Sequence, residues 1–279
     1  MTEVRTLLSG LAFGESARWH DGRFWFSDWG DGTVNAVDLE GASEVVARLP
    51  SMPFCFDWSV DGSLLILSGG EAKLVRRDAG GTLSTVAELA HLSRHAWNEV
   101  VVDGRGNAYL NNIGFDFPHG EVTTGIVAVV NPDGAARRVA DGIEFGNGMA
   151  VTPDDSTLIV AESCGGRLTA FDIEADGSLS NRRVWADLGG APPDGICLDA
   201  ENAVWYADVP NRRCVRVAEG GTVLNTVDVD RGCFSCALGG PDGRTLFIVA
   251  AQWPMSTGGT ERTGQVLMTA APAPPARWR

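Results

Sequence analysis

The chain has 279 residues, 44% hydrophobic and 21% charged, enough apolar content for a sizeable core and too much for a disordered polymer. Its 36 acidic and 22 basic residues give a formal charge of -14, which repels a phosphate backbone and excludes general nucleic-acid binding. No apolar run approaches the roughly 20 residues of a membrane-crossing helix, and Met1 to Gly10 carries Glu3 and Arg5 instead of a basic start and an apolar core, so a cytoplasmic chain with no membrane partner is expected.

In chain order, the first extended segment is Glu3 to Leu8, followed by a turn-and-strand unit that recurs six times. The copies are Asp21-Gly-Arg-Phe-Trp-Phe-Ser-Asp28, Asp61-Gly-Ser-Leu-Leu-Ile-Leu-Ser68, Asp103-Gly-Arg-Gly-Asn-Ala-Tyr-Leu-Asn-Asn112, Asp154-Asp-Ser-Thr-Leu-Ile-Val-Ala-Glu162, Glu201-Asn-Ala-Val-Trp-Tyr-Ala-Asp208 and Asp242-Gly-Arg-Thr-Leu-Phe-Ile-Val-Ala250. Their starts lie about 44 residues apart on average. Around each stand an earlier apolar strand, such as Ile196 to Leu198, and later strands such as Thr33 to Leu39, Arg167 to Ile173 and Arg213 to Ala218. A four-stranded meander repeated six times buries its faces only by packing copies around an axis, so the fold class is all-β and the architecture a six-bladed propeller. Residues 1–269 are expected to form it as one domain, with Glu3 to Leu8 closing the last blade and residues 270–279, rich in Ala and Pro, forming a disordered C-terminal tail outside the ring.

In a propeller, one repeat offset becomes one place around the channel. Counting back 13 to 15 residues from the end of each copy reaches Glu15, Phe54 or Cys55, Asn98, Asn147, Asp194 and Ser235 or Cys236. Two carboxylates and two carboxamides converging there either hold a cation or hydrate a water-filled channel. Their glycine neighbours, in Gly146-Asn147-Gly148 and Pro193-Asp194-Gly195, favour the cation by leaving room for close approach. Hard oxygen donors suit calcium, magnesium, manganese or iron(II) better than a structural zinc.

The segments Gly14-Glu15 with Trp19 and Asp21-Gly, Asn98-Glu-Val-Val-Val-Asp103, Asn147-Gly-Met-Ala-Val-Thr-Pro-Asp154 and Pro193-Asp194-Gly-Ile-Cys-Leu-Asp199 occur in order. Together they resemble the regucalcin (senescence marker protein) and gluconolactonase family, across roughly residues 8–268. The resemblance implies a divalent cation (calcium, zinc, manganese, magnesium or iron(II)) on Glu15, Asn147 and Asp194, with Asn98 on substrate or a cation-bound water. It implies a metal-dependent lactonase in which Asp194 and Asn98 are catalytic and a small lactone or ester is the substrate. Sugar-lactone hydrolysing members of the family carry an Arg two residues before the Asn; this chain has Ala96-Trp97-Asn98 there.

Trp97, His95, Phe117 and His119 are expected to bind substrate beside Asn98, and Phe54, Phe56, Phe115, Phe234 and Trp253 are further aromatic candidates at the mouth. The third repeat is stretched through Asn111 to Gly125, a loop expected either as a lid or as an exposed hairpin. Asp28, Asn112, Glu162 and Asp208 form a second matched set at the strand ends, expected behind the ligands or in turns. His91-Leu-Ser-Arg-His95 lacks the glutamate of HExxH, and Cys233-Phe-Ser-Cys236 stands without a second pair, so neither is expected to bind metal. No nucleophile elbow, phosphate loop or dinucleotide fingerprint is present in the sequence. The rival readings are a non-catalytic propeller with a structural ion and another metal-assisted reaction at the same site. A monomer or small homo-oligomer is expected.

Overall fold

The computed structural model describes residues 3–50, 52–253 and 261–276. It contains no helix among them and six four-stranded antiparallel sheets. Five sheets are sequential meanders. The sixth joins the last three strands to the first, Arg5–Leu11, which pairs with Gly264–Ala270 and closes the ring as expected. The inner strands, blade by blade, are Gly14–His20, Phe54–Trp58, Trp97–Val102, Gly146–Val151, Ile196–Leu198 and Gly232–Gly239. Each touches the next, and the sixth touches the first, around a central channel.

The turn chemistry follows the sequence. At the first repeat His20 pairs with Arg23 across Asp21 and Gly22, whose φ values of 49° and 73° are the left-handed pair that a two-residue hairpin requires.

Both faces of the middle strands are covered, which is why they read as continuous apolar runs. In Leu64–Ser68 the side chains alternate: Leu64 and Ile66 pack toward the first blade with Phe54 and Val34, while Leu65 and Leu67 pack toward the third with Val100 and Leu110. The described core accordingly comprises six clusters, each between neighbouring blades. At about 25 cal/mol per Å² of apolar surface, these interfaces hold the blades in order.

The C-terminal segment expected outside the ring docks onto the fifth blade instead. Pro275 bridges Asp199, Ala276 N–H donates to Leu198 O at 3.0 Å, and Ala273 is buried. Small apolar residues and prolines there cover the end of the inner strand Ile196–Leu198. Residues 277–279 of that expected tail lie outside the described residues.

Candidate active site

Four inner strands break register where the singled-out residues sit, that of the sixth blade between Cys233 and Ser235. Pairing with the second strand shifts between Glu15 and Arg18, between Trp97 and Glu99, and between Gly146 and Met149. These breaks coincide with Glu15, Asn98 and Asn147. A bulge inserts an extra residue and re-aims a side chain that regular alternation would send into a blade interface. Ser16, directly after Glu15, has φ 54°, a costly left-handed conformation for a residue with a Cβ. The second blade has no break over Phe54–Trp58, and its offset residues Phe54 and Cys55 are core.

Asp194 precedes its strand and is held by its backbone. Its N–H donates to Ala207 O at 2.9 Å, and its carbonyl accepts Gly148 N–H at 3.2 Å. A Cβ on Gly148 would sit 2.5 Å from Ile196 N, and one on Gly195 would sit 2.4 Å from Ser235 Oγ. The room these two glycines provide is therefore filled by the neighbouring blade and is not open space for a cation, as the sequence reading had it.

Both carboxyl groups are perturbed, chiefly by burial. Burial, then the charges of Asp194 and Glu99, holds the Glu15 carboxyl well above its ordinary value of 4.5. Burial likewise raises Asp194 above 3.8, with the charges of Glu99 and Cys236 adding to it and a hydrogen bond with the Asn147 side chain offsetting part. Asp194 Oδ1 is buried with no protein partner. Asn98 Nδ2 donates to Gly146 O at 3.1 Å, beside Asn147. Asn147 Nδ2 donates to Ser163 Oγ at 3.3 Å, and Ser163 Oγ donates to Pro193 O at 2.7 Å, linking the carboxamide to the segment that carries Asp194.

The second matched set works behind this centre. Asp28 accepts the N–H groups of Ala12 at 3.0 Å and Phe13 at 2.9 Å, just ahead of Glu15. Glu162 accepts Glu144 N–H at 2.7 Å, just ahead of Asn147, while Arg167 and Arg182 neutralise it. Asp208 holds Asn211 and Arg213 within its own blade, and Asn112 Oδ1 accepts Ile126 N–H at 2.9 Å.

Several expected substrate contacts are placed elsewhere. Trp97 is wholly buried between the second and third blades and offers no surface to a ligand, and Phe54 and Phe56 are core in the same way. Their bulk fills blade interfaces, where alternation places them. The His95 ring lies 3.2 Å from Asp116 Oδ1 of the stretched loop, and His119 is exposed on that loop, its N–H donating to Asp116 O at 3.1 Å. Phe117 packs edge-on to Phe145 at 5.3 Å and to Phe115 at 6.2 Å. Phe145 lies two residues before Asn147. A second aromatic group surrounds Phe13, two residues before Glu15: Phe234 at 5.0 Å, Trp29 at 5.3 Å, and Trp253 against Phe234 at 5.7 Å.

Two charged residues given no role from sequence belong to the same centre. Glu99 Oε1 accepts Arg18 Nη2 at 3.0 Å and Val100 N–H at 2.9 Å, and the Cys55 thiol donates to the same oxygen. The available signal was a pair of opposite charges, Arg18 and Glu99, in two inner strands.

The family model described as SMP-30/Gluconolactonase/LRE-like region matches residues 13–252. The chain belongs to this family. Among its relatives, a 6-deoxy-6-sulfogluconolactonase from Pseudomonas putida is 25% identical over 247 residues, 82% of this chain and 83% of that protein. A pentonolactonase from Haloferax volcanii is 26% identical over 258 residues, 90% of this chain and 86% of that one. The fold is also similar to that of a calcium-binding regucalcin from Agrobacterium tumefaciens, with a TM-score of 0.78, 20% identity, and coverage of 99% of this chain and 98% of the other.

Proposed function

We propose that the chain is a divalent-metal-dependent lactonase whose cation is held by Glu15, Asn147 and Asp194. The observation that carries this reading is the pair of buried carboxyl groups whose ionisation is resisted by burial, one oxygen of which, Asp194 Oδ1, has no protein partner. Charge of that kind is costly in a closed site unless a cation offsets it. Among the described residues no group of three or more His, Cys, Asp or Glu side chains is arranged for a metal; this set has two carboxylates and is completed by an amide oxygen, a donor chemistry fitted to hard cations.

When bound, the cation supplies positive charge that polarises the lactone carbonyl and offsets the carboxylates. Asp194 accepts the proton of the attacking water as the general base. Asn98 spends one N–H on Gly146 O, which leaves its Oδ1 and second N–H to orient substrate or water. Ser163 holds Asn147 and the Pro193 carbonyl in one arrangement, so the carboxamide and Asp194 keep their relative positions.

The lactone carries an apolar substituent. Phe145 with Phe117, and Phe13 with Phe234 and Trp253, flank the strands of Asn147 and Glu15, and Phe117 and Trp253 are about half exposed, at 51% and 45%. Ala96 stands where sugar-lactone hydrolysing members carry Arg, so a charged grip on sugar hydroxyls is missing. The test is elemental analysis of purified protein, then chelation and a lactone panel assayed with calcium, magnesium, manganese, zinc and iron(II) restored singly. Turnover that survives complete chelation overturns the metal dependence. A specificity constant for gluconolactone above those for alkyl-substituted lactones overturns the substrate class.

A further inference from the structure

Four of the six cysteines gather at the interface of the fifth and sixth blades. Cys214, Cys233 and Cys236 are buried there and Cys197 packs against them, although they span 40 positions of sequence. Cys236 is the hub. Its sulfur lies 4.0 Å from Cys197 Sγ and donates toward the carbonyls of Gly195 and Trp205, each at 3.7 Å. The Cys197 and Cys214 thiols hydrogen-bond to Cys236 and stabilise its thiolate, lowering its pKa, while the same hydrogen bond and then burial keep Cys197 a thiol.

Of the four, only Cys197 is more than marginally exposed among the described residues. It lines a cavity of about 170 Å³ together with Arg18, His20, Trp58, Val102 and Leu238. Those residues lie toward the opposite ends of the inner strands from Glu15 and Asn98, so the cavity opens the channel on the face away from the carboxylates. A small oxidant therefore has a way to Cys197 that does not cross the substrate side.

We propose that Cys197 and Cys236 are a redox site that closes to a reversible disulfide under peroxide, and that closing it disables the cation site through Gly195. A disulfide needs about 2.05 Å between sulfurs, so the pair must close by about 2 Å. The Cys197 thiol passes its proton to the Cys236 thiolate across their 4.0 Å contact as its sulfur attacks peroxide; the O–O bond breaks, Cys197 becomes a sulfenic acid, and the departing hydroxide takes the proton back from Cys236. The Cys236 thiolate then attacks that sulfur, the S–S bond forms and a second hydroxide leaves. With the two thiol protons, the products are one disulfide and two waters; the sulfurs lose two electrons and the peroxide oxygens gain them.

The strain runs to the site because nothing between is slack. Gly195 lies against Ser235, where even a Cβ would collide, and its N–H donates to Phe234 O at 2.9 Å. Pulling Cys197 toward Cys236 moves the segment 194–197 against 234–236, and Asp194 is at its end. This second half rests on the placement of Asp194 in the cation site.

The metal-loaded protein is treated with hydrogen peroxide and digested with trypsin without reduction. Fragment 184–212, which contains Cys197, is expected joined to fragment 232–244 through Cys236, and dithiothreitol is expected to release it. The link is expected to persist in Cys233→Ser and to be absent from Cys197→Ser. Oxidation at the exposed Cys164 adds oxygen without joining these fragments, and so is distinguishable. Cation affinity and turnover are expected to fall about 10-fold in the linked protein, the scale of losing an outer support of a metal site, and to return on reduction. Unlinked fragments, or a link to fragment 214–216 through Cys214, overturn the redox site, and the wild-type digest decides this even if a variant fails to fold. A linked protein that keeps its cation and turnover overturns the coupling. Untreated protein that neither binds a cation nor hydrolyses lactones overturns the lactonase reading and leaves the digest result standing.

Discussion

Arg18 Nη2 donates to Glu99 Oε1 at 3.0 Å, joining the first blade to the third across the channel. Arg18 also donates to Val100 O at 3.0 Å; burial works against its charge, and the charge of Glu99 helps to outweigh it and keep the guanidinium protonated. The pair is largely out of water, with side-chain exposures of 17% and 7%, so removing one partner strands the other. Arg18→Met is expected to destabilise the fold by about 3 kcal/mol in urea titration, the lower end for a broken buried pair. Combining it with Glu99→Gln is expected to recover part of that loss; strict additivity of the two would show the pair is uncoupled.

Asp194 and Asn98 are expected to separate by readout. Asp194→Ala should lose both the cation and turnover, since it removes a charge-bearing ligand. Asn98→Ala should keep the cation and lower turnover about 10- to 100-fold, the range for a lost outer-shell partner. Elemental analysis beside steady-state kinetics checks both. Full metal content in Asp194→Ala sinks the ligand assignment, and loss of metal from Asn98→Ala makes Asn98 a direct ligand.

Cation-free protein is expected to lose stability as pH rises. Glu15 and Asp194 bind protons more tightly in the folded protein than at their ordinary 4.5 and 3.8. Above those values the unfolded chain has released protons that the native state still holds, so each pH increment favours unfolding until the folded-state pKa is passed. Their unfavourable contribution is absent below about pH 4 and complete above the raised values. Denaturation of chelated protein should therefore show a decline as pH rises above about 5 that is smaller in Glu15→Gln and removed by restoring the cation. An identical slope in Glu15→Gln would exclude the carboxyl as its source.

The aromatic groups should act on binding of the apolar part of the substrate. Phe117→Ala and Trp253→Ala each remove a half-exposed ring, and at about 25 cal/mol per Å² the lost contact corresponds to roughly 1 kcal/mol. KM for an alkyl-substituted lactone should rise about 5-fold with kcat nearly unchanged, and KM for gluconolactone should stay the same. Equal effects on both lactones would remove these rings from specificity.

The propeller was legible because it is written as repetition: six turn-and-strand copies at a near-constant interval, each too small to bury both faces, leave a closed ring as the packing solution. The repeat offset also puts Glu15, Asn98 and Asn147 at equivalent places, since equivalent positions in equivalent units lie around one axis. It could not tell a channel residue from a core residue at adjacent positions. Trp97 and Asn98 are neighbours in sequence, yet one is core and the other lies beside Gly146, because a register break between Trp97 and Glu99 interrupts the two-residue alternation. A bulge has no signature in a single sequence here; it arises from how the strand meets its partner. The same holds for Arg18 with Glu99 and for Cys197 with Cys236, which come from different blades and become neighbours only when the ring closes. The C-terminal segment shows the limit most simply. Its composition reads as a loose end, and it is bound because the fifth blade leaves Leu198 and Ala200 with backbone groups for it to pair with. Composition and period determined the architecture of this chain; which side chains face one another was decided by closure, where strand register and blade contacts fix positions that no local pattern encodes.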